Sequence, residues 1–302
     1  MKTIKNILVC LDLTEIDASL ITYAAFIADA FQAENVFFIH VIQAYDLPRK
    51  SSKSFPDLKT SLNNMIRSEL NQQVDRHFHQ TYSTDIIVRI EEEDAAEELI
   101  SSVKETEADL LMLGQKHGED RQARYGQKVA AQAPCDILFV PENHSLSLQK
   151  ILCAIDFTQA SSPAFDRALY LKEQREAELV CYFVHDLTKA YFPASTRKSA
   201  DRSQSRAEKK YREFISGFDR DPKNFTCLIE AADERTSEAE KIYRAGETEN
   251  ANLIIVGAAG STGSETSLLG NITESLRRMQ KYIPVLIVKY RENKKLFLQI
   301  LR

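Results

Sequence analysis

Three glycines and an asparagine, Gly257, Gly260, Gly270 and Asn271, follow the apolar run Leu253-Ile254-Ile255-Val256 and precede a helix-like stretch over residues 272–279. A buried strand, a glycine-bearing loop and a helix start, in that order, make a place for phosphate. Glycine lets backbone approach a ligand, and a helix N-terminus offers unpaired N–H groups with a partial positive charge. The spacing, G-x2-G-x9-G followed by Asn, is not the dinucleotide pattern G-x-G-x-x-G, and it lacks the lysine of a Walker A loop. The same residues carry a plainer reading. Asn271 with Glu274 forms a capping box that starts a helix without any ligand.

Asp156, at the end of the apolar run over residues 150–155, is the second chemical candidate. A carboxylate can accept from both hydroxyls of a ribose. Asp156-Phe157-Thr158 reads equally well as a turn or N-cap. Other candidates lead to no chemistry. His77 and His79 are two apart in a predicted helix over 58–82 and point to different sides, a poor metal pair. Asn271-Ile272-Thr273 spells a glycosylation sequon, to which a cytoplasmic chain is never exposed. The acidic run over 91–94 reads as a solvated helix entry, and the basic stretch over 197–212, interrupted by Asp201 and Glu208, as a solvated helix. No Ser-His-Asp, Cys-His or metal-ligand spacing stands out.

These residues must be held by the elements around them, and those elements come in a repeated order. Residues 5–12 read as a strand ending in Asp12, and residues 15–31 as a helix. Strand 35–41 containing His40, helix 58–82, strand 84–91, helix 94–105, strand 108–113, short helix 124–132 and strand 137–140 follow. After a polar segment over 141–149 the order starts again. Strand 150–156 ends in Asp156, offset by 144 (156 − 12), and strand 178–185 again ends in His. Helices over 164–174, 204–218 and 236–245 alternate with strands 225–230, 252–256 and 283–288. Alternating strands and helices with near-continuous apolar strands predict a parallel sheet covered on both faces. Two copies predict a duplicated α/β domain, with boundaries at 1–143 and 144–302.

Composition narrows the class. The chain has 302 residues, 43% hydrophobic and 27% charged, as expected of a protein with real cores. A net charge of −5 argues against a nucleic-acid partner. The five cysteines form no C-x-x-C pair and read as buried, reduced thiols, which predicts a cytoplasmic location. No apolar run is long enough to predict a secretory leader or a membrane span.

The opening Asp-(Leu/Phe)-Thr, the strand-ending His and the glycine loop together resemble the universal stress protein family, twice in one chain. The resemblance implies two Rossmann-like domains of the adenine-nucleotide alpha-hydrolase type. Each would hold a five-stranded, mainly parallel sheet in the order 3-2-1-4-5, and the two would pair through their fifth strands. It implies ATP as ligand, with magnesium as a companion ion. Asp156 would reach the ribose, the backbone at His185-Asp186 the adenine, and Gly257, Gly260, Gly270 and Asn271 the phosphates. Two departures stand out: Asn271 where family members that bind ATP have Ser or Thr, and Asp186 where an apolar residue is usual. The first half departs further, with Gly114, Gly118 and Gly126 in a loop five residues shorter (28 − 23, counted from the first glycine to the last strand), which predicts a degenerate site. A nucleotide-binding stress-response protein is the leading expectation, with a homodimer as a further assembly. The others are a scaffold that binds no nucleotide and acts through protein contacts, and a slow ATPase using Glu265 and Ser261.

Overall fold

The computed structural model describes residues 3–42, 56–79, 83–92, 95–115, 128–129, 132–157, 161–185, 196–233, 235–258, 275, 279 and 282–289. The first half contains β1 (Asn6–Leu11), α1 (Ile16–Phe31), β2 (Asn35–Ile42), α2 (Pro56–His77), β3 (Asp85–Glu92), α3 (Ala95–Glu105), β4 (Leu110–Gln115) and β5 (Asp136–Pro141). The second contains β6 (Lys150–Ala154), α4 (Ser162–Arg175), β7 (Glu178–His185), α5 (Thr196–Ser216), β8 (Thr226–Ala231), α6 (Glu238–Thr248), β9 (Leu253–Gly257) and β10 (Val285–Val288).

Ten strands form one sheet in the order β3-β2-β1-β4-β5-β10-β9-β6-β7-β8. Each half contributes the expected 3-2-1-4-5 order, and pairing within each half is parallel. The halves join where β5 and β10 run antiparallel, with Leu138 opposite Leu286 at the centre of the register. Residues of β5 and β10 are buried throughout, so this junction lies in the core and neither fifth strand is left as an open edge. One apolar layer lies under α1, α2, α4 and α5, the other under α3 and α6, and each runs through both halves.

The helices α1 and α4 meet across the junction. Phe31 stacks on Tyr170 with centroids 5.7 Å apart, and the guanidinium of Arg175 lies over Phe26 at 5.3 Å. The two contacts exchange under the repeat, since Tyr170 and Arg175 occupy the positions of Phe26 and Phe31 (170 − 26 and 175 − 31 are both 144). The duplication persists in the backbone as well. Left-handed residues recur at matching places: Leu13 (φ 59°) and Phe157 (φ 61°), Gln32 (φ 53°) and Glu176 (φ 51°), Glu107 (φ 48°) and Asn250 (φ 54°).

Several predicted boundaries shift. The helix α2 stops at His77, so His79 is not helical at all, and α5 starts at Thr196, earlier than its apolar spacing indicates. Glu91 and Glu92 belong to β3 instead of opening a helix, with Glu92 accepting from Asn63 Nδ2 at 3.1 Å. His40 is not the last residue of β2, which continues to Ile42. Gly114 lies inside β4, in register with Val140, so it is a strand residue before it is a loop residue. The apolar C-terminal stretch over 294–302 lies outside the described residues.

Candidate functional site

The order β10-β9-β6-β7 puts a topological switch between β9 and β6. The chain leaves β6 through α4 toward β7 on one side, and leaves β9 toward β10 on the other. Such a divergence opens a crevice at the carboxyl ends of the two strands. Ala154, the last residue of β6, pairs with Val256, so Asp156 lies two residues past β6 beside the carboxyl end of β9, which Gly257 closes. Two of the six predicted site residues, Asp156 and Gly257, are thereby brought together from ends of the second half about 100 positions apart (257 − 156). Asp186, Gly260, Gly270 and Asn271 lie outside the described residues. His185 is the last residue of β7, one strand away from Asp156.

The residue after Asp156 fixes its position. Phe157 takes a left-handed conformation, unfavourable for a residue with a side chain. It is held there by an aromatic cluster, with Phe183 at 4.4 Å, Phe214 at 5.9 Å and Tyr211 at 6.2 Å between centroids. Strained backbone persists only where its surroundings over-determine it, and it concentrates at ligand sites.

Sequence reasoning did not single out α6, the helix whose first turn feels the charge of Asp156. In α6, Ser237 Oγ caps the helix by accepting from Glu240 N–H at 3.2 Å, and Glu238 follows in the first turn. Burial first, and then the charge of Asp156, raise the Glu238 carboxyl above its usual range. The turn before α6 is pinned by ions. Lys241 Nζ, almost fully buried, holds Glu230 Oε1 and Asp233 Oδ2 at 2.6 Å each. Tyr182 donates to Glu230 Oε2 at 2.6 Å, and Asp233 Oδ1 accepts from the N–H groups of Arg235 and Thr236. Burial works against the Glu230 charge, but the Lys241 and Tyr182 hydrogen bonds outweigh it and its carboxyl sits below the ordinary value. Asp233 is lowered chiefly by Lys241, whose own ammonium is raised by Asp233 and Glu230. The signal for this element was available in sequence: Ser237 and Glu240 have capping-box spacing.

The equivalent strand ends of the first half have different surroundings. Asp12 lies just past β1, and its carboxylate accepts from Thr14 Oγ1. Asp17, fully buried, accepts from the N–H groups of Leu13 at 2.7 Å and Asp12 at 3.2 Å. Burial pushes Asp17 up to about 7; the Asp12 N–H bond opposes this and the Asp12 charge adds to it. The position equivalent to Asp17 in the second half is Ser161, which is neutral. Ile16 is packed on Gly114 so closely that a Cβ there would come within 3.1 Å of Ile16 Cδ1 and 3.4 Å of Leu20 Cδ2. At the matching positions the second half has Ala160 and Ala164, both far smaller. His40 Nδ1 lies 3.0 Å from Leu11 O, a bond to the adjoining strand end.

The sequence matches the Usp family, described as the universal stress protein family, over residues 3–141 and again over 147–289. The chain belongs to the universal stress protein family. It carries two such domains in tandem, as the repeat predicts. Among solved structures, a universal stress protein from Archaeoglobus fulgidus DSM 4304 is similar along 96% of this chain and 97% of its own. Its TM-score is 0.65 and its identity 16%. A putative universal stress protein from Pseudomonas aeruginosa UCBPP-PA14 is similar along 95% and 93%, with TM-score 0.63 and 16% identity. At such identity the likeness is one of fold. No curated protein sequence matches the chain. Among the described residues of this universal stress protein, no helix is long and apolar enough to cross a membrane, and no group of three or more His, Cys, Asp or Glu is gathered to hold a metal ion. None of its five cysteines is in a disulfide, and four of them are buried.

Proposed function

We propose that this universal stress protein binds one adenine nucleotide of the ATP class in the crevice between β6 and β9, as a regulatory ligand in the cytoplasm and without committed catalytic machinery. The observation that carries the proposal is the switch point itself, with Asp156 just past β6 and Gly257 at the end of the paired neighbouring β9. In this reading Asp156 takes the ribose hydroxyls, the chain at His185-Asp186 meets the base, and Gly257, Gly260, Gly270 and Asn271 surround the phosphates. Magnesium would accompany the phosphates. The functional division falls at residues 1–143 and 144–302, with the nucleotide assigned to the second part. Ile16, Leu20 and Asp17 support that asymmetry. The first two pack hydrocarbon closely on Gly114 of β4, and the third is a buried carboxyl where the second half has a serine.

Calorimetric titration with ATP tests the reading. One site per chain is expected, and Gly260→Val is expected to abolish binding without lowering the melting temperature, because a side chain would intrude where backbone must approach phosphate. Asn271→Ala should weaken binding less and cost about 1 kcal/mol of helix stability, the usual value of a cap. Two equivalent sites would overturn the asymmetry. No saturable binding at millimolar ATP would overturn the nucleotide and leave a scaffold that works through protein contacts.

A further inference from the structure

The two halves are related by a pseudo-two-fold axis at the Leu138–Leu286 register, but the junction is not chemically symmetric. On one side Arg167 of α4 reaches into the first half and holds Asp136, at the start of β5, with Nη2 to Oδ2 at 2.9 Å. Both side chains are buried, 8% and 5% exposed. The other carboxylate oxygen, Asp136 Oδ1, accepts the backbone N–H of Lys289, just past β10, at 3.1 Å, and the guanidinium lies over the Phe31 ring at 5.6 Å. On the pseudo-symmetric side the same two positions are Tyr23 (167 − 144) and Pro284, the latter by alignment of β5 with β10. Neither is charged. Tyr23 is instead buried edge-on against His144 at 4.5 Å.

We infer that the pairing face of the second half, β10 with α4, is built for a half carrying an acid at the start of its fifth strand, which is the first half of this protein, and rejects a second copy of itself. Two second halves joined through β10 would direct each Arg167 at the other's Pro284. Two guanidinium groups would then be buried with neither carboxylate, and an uncompensated buried charge is among the most destabilising changes available to an interface. With second halves unable to pair together, first halves have no surplus partner. The ion pair thus selects which halves meet, and it does so beside a strand pair, residues 137–139 against 285–287, that is apolar and self-similar.

The test uses full-length chains with the charges reversed singly. One chain carries Asp136→Arg and sets two cations face to face; the other carries Arg167→Asp and sets two anions face to face. Each alone should melt roughly 10 °C or more below wild type and remain monomeric, since pairing with its own copy relieves nothing. Mixed in equal amounts, they should form a 1:1 heterodimer by native mass spectrometry, each second half taking the other chain's first half, with melting temperature recovered. Should the single variants fail to fold, the chain carrying both reversals decides. It is expected to be a monomer that recovers at least half of the lost melting temperature. Wild-type melting temperatures in both single variants, homodimers of either one alone, an unassociated mixture of two folded chains, or no recovery in the doubly reversed chain would overturn the inference.

Discussion

Residues that adopt left-handed backbone without being glycine illustrate how one local strain has two opposite outcomes. Glu176 ends α4 at φ 51°, with its N–H bonded to Lys172 O, and nothing about that position calls for its side chain. Replacing it by glycine removes the Cβ clash, so Glu176→Gly should raise stability by about 1 kcal/mol, checked by urea unfolding. Phe157 has the same backbone strain but packs against three aromatic rings. There the lost packing exceeds the relieved strain, and Phe157→Gly should destabilise by about 2–4 kcal/mol. Asp17 gives a pH dependence. Its folded-state value is pushed up to about 7 from an unfolded value near 3.8, so the folded protein holds a proton that the unfolded chain has released. Between those values the native state binds more protons, and stability therefore falls as pH rises. Asp17→Asn should flatten that fall, removing on the order of 2 kcal/mol of loss between pH 5 and pH 7, read from melts across the range.

At the scale of the element, α6 depends on its first two turns. Its polar contacts to β7 and β8 run through Lys241, which joins Glu230 in β8 to Asp233 in the turn, while Tyr182 in β7 donates to the same Glu230. The lysine is buried and its two carboxylate partners are about half exposed, so the pairs rank between a surface and a core ion pair. Lys241→Met keeps the length of the side chain and removes the charge. It should cost about 1–3 kcal/mol and increase amide exchange in α6 before it affects β9. Because Glu238 in the first turn of α6 feels the charge of Asp156, the same variant should also alter any affinity measured in the second crevice. The bonds among Lys241, Glu230 and Asp233 are strongest where all three are ionised. Acid titration should therefore loosen α6 as Glu230 and Asp233 take up protons, below the ordinary carboxylate range, because both are lowered.

In the whole molecule, ten strands share one ladder and both apolar layers cross the junction between the halves. Cooperative unfolding should follow, with one calorimetric transition for the chain. Leu286, 1% exposed and opposite Leu138, is the central contact of that junction. Leu286→Lys would bury a charge without a partner at the centre of the pseudo-two-fold. It should cost about 3–5 kcal/mol and divide the single transition into two, one for each half. Retention of one transition in that variant would mean that the helices α1 and α4, and not the strand pair, hold the halves together.

Much of this arrangement is legible in the sequence. Apolar runs ending in Asp12 and Asp156 at an offset of 144, and the alternation of strand and helix, determine a duplicated α/β protein, since a strand buried on both faces needs helices on both. The glycine spacing marks the second half as the one with a candidate phosphate loop. Other features depend on contacts between residues far apart in the chain, which no local pattern encodes. The adjacency of Asp156 and Gly257 requires β9 to lie beside β6, a fact of topology supported in sequence only through family resemblance. The influence of Asp156 on Glu238 depends on where α6 is packed, Lys241 ties α6 to Glu230 and Asp233, and a lysine in a helix usually reads as solvated surface. Arg167 gives the clearest case. In sequence it is one more charge on a helix, and only the antiparallel meeting of β5 with β10 sets a buried Asp136 against it and makes the junction one-sided.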